Sequence, residues 1–446
     1  MQRSTAFRRL LSAIALGSCI LPGQAQQNIE PRLFEYGFEQ RVRTENWNNI
    51  LDYDAARQDE RRQIRYRSRL WMKSPVTSDI DIFVGLNQET NQILVPDVPQ
   101  QFDEVMFENA YVDFRKLFVK GLSLRVGRQN LMRGEGFLLL DGSPGDGSRS
   151  LYFNAAVLGY SWRKSKLEAM TIYNPSNERY LPRLHESTTR QLAERNEQAL
   201  ALYYTDDNIS NTSIDAYYFL KRETRDCRAV TQHQYQADRH VHTAGGRLTR
   251  KMQGGWSAAS ELAAQWGREE PGKRIAAWGG YGYLRKTFAR PGDPYVLTGY
   301  WGMSGDDPMT STRYEGWDPL FARWPKWSDL YIYSYIREHG VSYWTNTWLW
   351  QLEAGYSPWK RLKTSFTCYD MNAFHPFNAD PLNYSDGKHR GRQYQARAEL
   401  SVNDHWRGHI LYERHLPGSF HAGHSSGWFF RMEVTYSFQG KIPLQH

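Results

Sequence analysis

The sequence predicts an all-β protein, an 18-stranded antiparallel transmembrane β-barrel with short periplasmic turns and long extracellular loops. The first observation is a strict two-residue period. In residues 79–87 every even position is Ile, Val or Leu, whereas the odd positions include Asp79 and Asp81. Residues 63–72 alternate in the same way, with arginine at 65, 67 and 69. Such a strand has one apolar and one polar face, which suits a wall between lipid and a water-filled lumen.

The second observation is the alternation of short and long joints between the candidate strands. The short joints are 73–78, 118–120, 163–165, 206–212, 253–255, 289–294, 358–361 and 403–405. The long joints are 46–62, 90–105, 129–149, 174–197, 222–239 and 372–390. This alternation is typical of a barrel with tight turns on the periplasmic side and long loops outside.

Parity sets the strand count, because both chain ends of such a barrel lie in the periplasm. The pattern gives 19 candidate strands, an odd number, and residues 330–336 are the candidate that does not fit the alternation of short and long joints. We therefore assign residues 305–345 to one outer excursion that contains a non-spanning strand or a lumen plug. Barrels of about 16 to 18 strands are wide enough for an aqueous channel.

The third observation is an N-terminal secretory signal. Three arginines precede an apolar run at residues 10–21, which is too short to span a bilayer as a helix. Residues 23–25 then offer a small-x-small cleavage site, so the mature chain is expected to begin near Gln26. A retained amphipathic helix and a lipoprotein anchored at Cys19 are the alternatives. The expected organisation is a signal peptide, residues 1–25, and a single barrel domain, residues 26–446, in the outer membrane of a Gram-negative bacterium.

Composition agrees with a barrel and excludes a helical membrane protein. No other stretch approaches 18 apolar residues, and mean hydropathy is −0.70. The chain has 28 Tyr, 20 Phe and 16 Trp, rings that suit the two lipid–water interfaces. The formal net charge is +8, and the basic block at 61–69 could indicate nucleic-acid binding. An exported protein rarely meets nucleic acid, so a cationic lumen is the better interpretation.

Five motifs between residues 109 and 154 resemble the alginate-export family of outer-membrane barrels. They are Asn-Ala-Tyr-Val-Asp-Phe-Arg at 109–115, Leu-Arg-Val-Gly-Arg-Gln at 124–129, Gly-Glu-Gly-Phe at 134–137, Asp-Gly-Ser-Arg-Ser at 146–150 and Tyr-Phe-Asn at 152–154. Residues 338–340 and 359–362 look like the late hairpin of that family. The resemblance implies a polyanion that crosses a narrow electropositive constriction, and it places Arg128 at the channel.

Parity along the strands predicts which charged side chains line the channel. The basic ones are Arg41, Arg43, Arg65, Arg67, Arg69, Arg115, Arg125, Arg397 and Arg431. The acidic ones are Glu35, Glu39, Asp79, Asp81, Asp113, Asp215, Glu399 and Glu433. Strict parity turns Arg128 outward, so it needs a bulge or a rim position. The alternative for each arginine is a structural ion pair within the wall; as a set they predict a mixed ladder with a cationic bias.

Other constellations carry weaker hypotheses. Asp141 and Asp146 could bind calcium, although a Gly/Pro turn explains that loop better. Two histidine groups could hold a metal, but both fall in or beside outer loops, where solvated histidines are expected; they are His233, His240 and His242, and His415, His421 and His424. Ser425 and Ser426 beside His424 are the one hint of an enzyme.

The sequence therefore predicts a passive channel rather than an enzyme, with no cofactor. The expected cargo is an anionic oligo- or polysaccharide, or smaller carboxylates, with periplasmic export proteins as possible partners and no nucleic acid. The rival hypothesis is a secreted, soluble β-rich glycan-binding protein or glycan-active enzyme. A soluble β-sandwich packs the apolar faces of its two sheets against each other, whereas a transmembrane barrel turns the apolar face of its wall outward.

Overall fold

Eighteen long antiparallel strands, numbered β1 to β18, form one closed barrel in the computed structural model. The structure describes residues 32–99, 101–140, 152–182, 184–186, 195–224, 238–322, 324–340 and 343–444. The strands are β1 (Leu33–Asn48), β2 (Arg61–Pro75), β3 (Ile80–Val95), β4 (Gln101–Phe114), β5 (Leu122–Gln129), β6 (Phe153–Trp162), β7 (Ser165–Asn174), β8 (Asn196–Asp206), β9 (Thr212–Thr224), β10 (Arg239–Lys251), β11 (Trp256–Glu269), β12 (Lys273–Thr287), β13 (Tyr295–Met303), β14 (Thr347–Trp359), β15 (Leu362–Asn372), β16 (His389–Ser401), β17 (Trp406–Pro417) and β18 (Gly427–Pro443). The predicted fold class is confirmed.

The barrel closes between its first and last strands. Each strand pairs with the next in the chain, and β1 pairs with β18 from Leu33 opposite Pro443 to Asn48 opposite Trp428. Closure leaves the wall without an unpaired edge. Full backbone pairing is what a strand needs in order to lie in hydrocarbon.

The two faces of the wall differ as the two-residue period predicts. Leu70 and Leu262 on the outer face are 50% and 63% exposed, whereas Arg41 and Arg43 on the inner face are 1% and 0% exposed. On β11 the outward side chains run from Trp256 at one end, through Leu262, to Trp266 near the other. Apolar residues between two aromatic positions are the pattern of a lipid-facing band.

The connections alternate between a short-turn end and a long-loop end. All eight predicted short joints fall at turns between paired strands, including the 3-10 turn Gln253–Gly255. The predicted long joint at 90–105 is mostly strand, because the pairing of β3 with β4 continues into it as far as Asn91 opposite Gln101. Conversely, three residues, 270–272, connect β11 to β12 at the long-loop end.

Residues 330–336, the odd candidate strand, lie at the start of a short helix, α1 (Ile332–His339). Its buried positions include Ser334, Tyr335 and Glu338, a spacing of three to four residues that a helix places on one side. Over seven residues an alternating pattern and a helical one share several positions, so the first of the two alternatives for this excursion, a non-spanning strand, is wrong. Gly340, with φ of 90°, ends the helix. Among the described residues, α1 included, no helix is long and apolar enough to cross a membrane.

Candidate functional site: the barrel lumen

The connection between β13 and β14, residues 304–346, folds back into the barrel. Lys221 of β9 donates a hydrogen bond of 2.6 Å to the carbonyl of Leu320. The hydroxyl of Ser328 donates to Glu413 of β17 at 2.9 Å. Strands β9 and β17 lie in distant parts of the wall, so one segment reaches both inner faces only from inside. The predicted outer excursion is therefore a plug in the lumen.

A second inserted segment, residues 131–140, packs against the plug. Leu139–Leu140 pairs in parallel with Phe321–Ala322 as a two-stranded sheet. The ring of Phe137 stacks on Trp317 with centroids 5.2 Å apart. These side chains belong to a continuous buried apolar cluster. The long-loop half of the lumen is thus partly filled by packed protein.

A buried ion pair fastens α1 to the wall. Arg390 of β16 donates two hydrogen bonds of 2.7 Å to the carboxylate of Glu338, and both side chains are fully buried. The guanidinium also lies over the ring of Phe420 at 4.0 Å and donates to the hydroxyl of Tyr331 at 3.0 Å. Burial alone would raise the pKa of Glu338, but the charge and bonds of Arg390, together with His339, lower that pKa. The pair keeps its charges, so it positions the helix strongly.

Two histidines of the predicted loop group are buried beside this pair. His421 contacts the hydroxyl of Tyr331 at 3.0 Å, and the rings of His415 and His421 pack on Tyr53 at 5.0 and 4.6 Å. Burial lowers the pKa of His421 well below its usual value. The expectation of solvated histidines is wrong for these two, because chain segments distant in sequence cover them. His424 is exposed, as expected.

The predicted arginines of β1 and β2 all lie on the inner face, and each pairs with a carboxylate. Arg67 donates to Glu39 at 3.0 Å, and Arg65 donates to Glu45 at 3.1 Å. Arg69 binds a glutamate of β4. We call this set the arginine ladder; its members are Arg41, Arg43, Arg65, Arg67 and Arg69. The most exposed of these side chains is only 20% accessible.

Arg431 and Glu433 of β18 extend the ladder. Arg431 contacts Glu45 at 2.8 Å and Asp329 of the plug at 2.9 Å. The carboxylate of Glu433 lies 3.7 Å from Arg43. The ladder therefore joins the wall to the plug through alternating charges.

Three predicted arginines near the short-turn end are more open to water. Arg125 pairs with Asp113 at 2.8 Å, and Arg397 pairs with Glu399 at 2.7 Å. The side chains of Arg125 and Arg397 are 39% and 34% exposed. Arg115 is 47% exposed and contacts a carboxylate of β3 at 3.3 Å. These cations are accessible to a solute, whereas the arginine ladder is largely covered.

Arg128 occupies a rim position at the long-loop end of β5. It pairs with Glu178 of the β7–β8 connection at 2.7 Å and donates to the carbonyl of Phe107 and to Asn154 at 3.0 and 3.1 Å. The residue is 2% exposed. Burial alone would raise the pKa of Glu178, but the bond and charge of Arg128, together with the backbone N–H groups of Leu181 and Tyr180, lower that pKa. Arg128 thus ties an outer loop to the wall.

Three cavities open along the lumen in its short-turn half, with volumes of about 560, 690 and 620 Å³. Together they are lined by twelve Arg or Lys and seven Asp or Glu side chains. Arg125 and Arg397 are among the basic ones, and Lys326 comes from the plug. This half of the lumen therefore has an excess of positive charge.

The calcium and histidine metal sites that the sequence offered are not supported by the described residues. The calcium candidates Asp141 and Asp146, and His233, lie outside the described residues. The ring of His242 stacks on Trp266 of the outer face at 5.7 Å. Among the residues that the structure describes, no three His, Cys, Asp or Glu side chains form a group able to hold a metal.

The enzyme hypothesis rests on Ser425 and Ser426 beside His424. The carbonyls of both serines accept hydrogen bonds from Asn49 at 2.9 and 3.2 Å. The hydroxyl of Ser426 accepts a bond from Arg414 at 3.2 Å. These contacts fasten the loop to the wall and give the serines a structural role.

Like the pair of Arg390 and Glu338, a second buried charged cluster between wall and plug was not predicted from the sequence. Lys221 lies 2.6 Å from Glu223, and Arg239 lies 3.3 Å from Asp318 of the plug. Residues 222–239 were expected to form a loop, although β9 extends to Thr224 and β10 begins at Arg239. Asp215 was predicted on the inner face, and counting every second residue from it along β9 places Lys221 on the same face.

Comparison with known proteins gives one family and one fold. A family model described as alginate export matches residues 32–426. No curated protein matches the chain. Three similar solved structures come from Pseudomonas aeruginosa. OccK5 (OpdH) has 11% identity and a TM-score of 0.56 over 91% of this chain and 98% of that one. OpdO has 13% identity and a TM-score of 0.57 over 91% and 97%. The outer membrane protein OprD has 12% identity and a TM-score of 0.54 over 93% and 95%. At such identities the likeness shows the fold.

Proposed function

The chain belongs to the alginate-export family and is an outer-membrane β-barrel channel, and we propose that its channel passes anionic solutes. The cargo in this proposal is an anionic oligo- or polysaccharide such as alginate, or a smaller carboxylate. Transport is passive diffusion without a cofactor. The same proposal includes cleavage of the leader near Ala25, a single barrel domain over residues 26–446, and export partners in the periplasm.

The excess of basic side chains in the three cavities supports this proposal. The linings of these cavities include twelve basic and seven acidic side chains. Arg125 and Arg397 among them, and Arg115 nearby, are each about one-third to one-half exposed. Partly exposed cations replace some of the hydration of a passing carboxylate without enclosing it in a deep site. Conduction needs this combination, since binding must be weak enough for release. Arg suits the task because its guanidinium stays charged and can bind a carboxylate with two donors.

The arginine ladder contributes differently. Arg67 and Arg65 donate to Glu39 and Glu45, and their side chains are only 5% and 16% exposed, so the ladder offers little of its charge to a solute. Its rows of alternating charge fix the inner face and hold the plug through Arg431. We therefore assign selectivity to the exposed cations of the short-turn half and a supporting role to the ladder.

The rival hypothesis of a soluble glycan-binding protein does not fit the wall. A soluble sandwich buries its apolar faces against each other. Here Leu200, Leu262 and Leu352 on the outer face are 60%, 63% and 62% exposed. A band of this kind is stable only against lipid.

Liposome swelling tests the cargo charge. Proteoliposomes are compared in isosmotic glucuronate and in neutral glucose, which have similar sizes. We expect faster entry of glucuronate, and the double variant Arg125→Gln/Arg397→Gln should reduce its advantage several-fold, because local charge governs local solute concentration. Arg222→Gln on the outer face of β9 is the matched control and should leave both rates unchanged. Faster entry of glucose than of glucuronate into wild-type proteoliposomes would refute the proposal.

A further inference from the structure

A row of three aromatic rings crosses the inner face of the wall near the short-turn end and ends at an arginine. We propose that this row, formed by Trp71, Phe83, Tyr111 and Arg125, is a saccharide-binding subsite. Sugar rings would pack on the aromatic rings, and a carboxylate would bind the guanidinium. The inference rests on the proposed function, because it names how the same lumen recognises its cargo.

The rings form one continuous stack across adjacent strands. Trp71 of β2 and Phe83 of β3 have centroids 5.7 Å apart and planes at 14°. Phe83 and Tyr111 of β4 have centroids 5.0 Å apart and planes at 3°. The guanidinium of Arg125 on β5 lies 4.6 Å from the centroid of Tyr111. The row therefore advances by one strand with each residue, as a track along the wall.

Parity and exposure place the row on the lumen side. Met72 and Ile82, the sequence neighbours of Trp71 and Phe83, point outward and are 44% and 41% exposed. The three rings of the row point the opposite way, and each side chain is half-buried. Rings that only filled space would be fully covered, as Phe137 and Trp317 are in the plug. The row instead offers apolar surface to whatever occupies the lumen.

Gly37 of β1 lets the first ring of the row lie close to the wall. A Cβ atom at Gly37, opposite Trp71, would overlap the indole ring. Close approach of this ring to the backbone keeps it from obstructing the lumen.

Cations stand beside the row in a pattern that suits an anionic sugar. Lys73 and Arg115, 35% and 47% exposed, lie toward the short-turn end and share the buried carboxylate of Asp81 at 3.3 Å each. Arg69 lies on the other side, two residues before Trp71. The C–H face of a pyranose ring packs on an aromatic ring, while its carboxylate needs a nearby cation. A neutral sugar would use only the rings, and a small carboxylate only the cations.

Blockage of ion current tests the subsite with two matched probes, a short oligouronate and the same oligomer with its carboxylates reduced to alcohols. Phe83→Leu removes one ring and retains apolar volume. We expect the blocking constants of both probes to rise about fivefold, consistent with the loss of one aromatic contact. Arg125→Gln should weaken blockage by the oligouronate alone. Trp162→Leu, which removes a stacked ring from the outer face, is the control and should change neither constant.

The outcomes separate this inference from the proposed function. If Phe83→Leu leaves both constants unchanged while Arg125→Gln weakens the oligouronate, the aromatic subsite is refuted and the anion channel stands. If only the reduced oligomer blocks the wild-type channel and Phe83→Leu weakens that block, the aromatic part of the subsite stands, and both the role of Arg125 and the anionic cargo are refuted. Equal effects of Phe83→Leu and Trp162→Leu also refute the subsite, because they indicate a general change in the barrel.

Discussion

Single residues of the lumen divide into buried charges with structural roles and exposed charges that meet solute. Arg390 and Glu338 are fully buried, whereas Arg125 and Arg397 are about one-third exposed. The sequence shows all four as charged residues on or near polar faces, and it does not reveal which are covered. Coverage depends on the plug, whose contacts join residues far apart in the chain.

Glu338→Gln should release α1 from the wall. The substitution leaves the charge of Arg390 buried without its carboxylate, a change that costs about 3–5 kcal/mol in buried pairs. We expect a folded barrel with noisier and larger single-channel currents, and faster proteolysis in residues 330–340. The double variant Glu338→Leu/Arg390→Met removes both charges and should be less noisy than the single one. Currents of Glu338→Gln identical to wild type would show that the pair does not hold the helix.

Acidification should loosen the loop that carries His421. Burial holds its pKa well below 6.5, so the packed loop takes up fewer protons than the loosened one. The packing energy is therefore full above the ordinary histidine pKa and declines as the pH falls below it. We expect current noise to rise between about pH 6.5 and pH 5, and His421→Gln, which cannot be protonated, to reduce that rise. A pH response of His421→Gln equal to wild type would assign the effect to other groups.

At the scale of elements, the hairpin of β13 and β14 carries the plug without depending on it. The two strands pair from Tyr295 opposite Gly355 to Met303 opposite Thr347. Antiparallel neighbours can be joined by a tight turn, so residues 304–346 are not needed for the pairing itself. The plug is held instead by contacts such as Lys221 to Leu320, which join residues 99 apart.

Replacement of residues 304–346 by a two-residue Asn-Gly turn should leave a closed barrel with a higher conductance. The wall keeps its inter-strand hydrogen bonds, while the long-loop half of the lumen loses the plug that partly fills it. Migration on an unboiled gel reports the closed barrel, and planar-bilayer recording reports the conductance. A variant that migrates as the boiled protein would show that the plug is required for folding of the wall.

At the scale of the whole molecule, the wall was predictable and the lumen contents were not. The alternation at Arg65, Arg67 and Arg69 determines locally which side chains face the lumen, because neighbouring side chains of a strand point to opposite faces. Even parity then determined the count of eighteen. The plug, the helix α1 and the burial of His421 depend on contacts between distant segments, for which a single sequence has no periodic signal. The aromatic row was visible only in part, since parity put Phe83 on the lumen face but could not show its neighbours.

The reversal potential of the purified protein under a KCl gradient tests most directly whether the exposed charges of the lumen favour anions. The twelve basic and seven acidic groups of the three cavities predict a reversal potential displaced toward that of chloride. The displacement should shrink at high salt, where charges are screened, and in Arg125→Gln/Arg397→Gln. A reversal potential displaced toward that of potassium would contradict the account of the lumen while leaving the barrel intact.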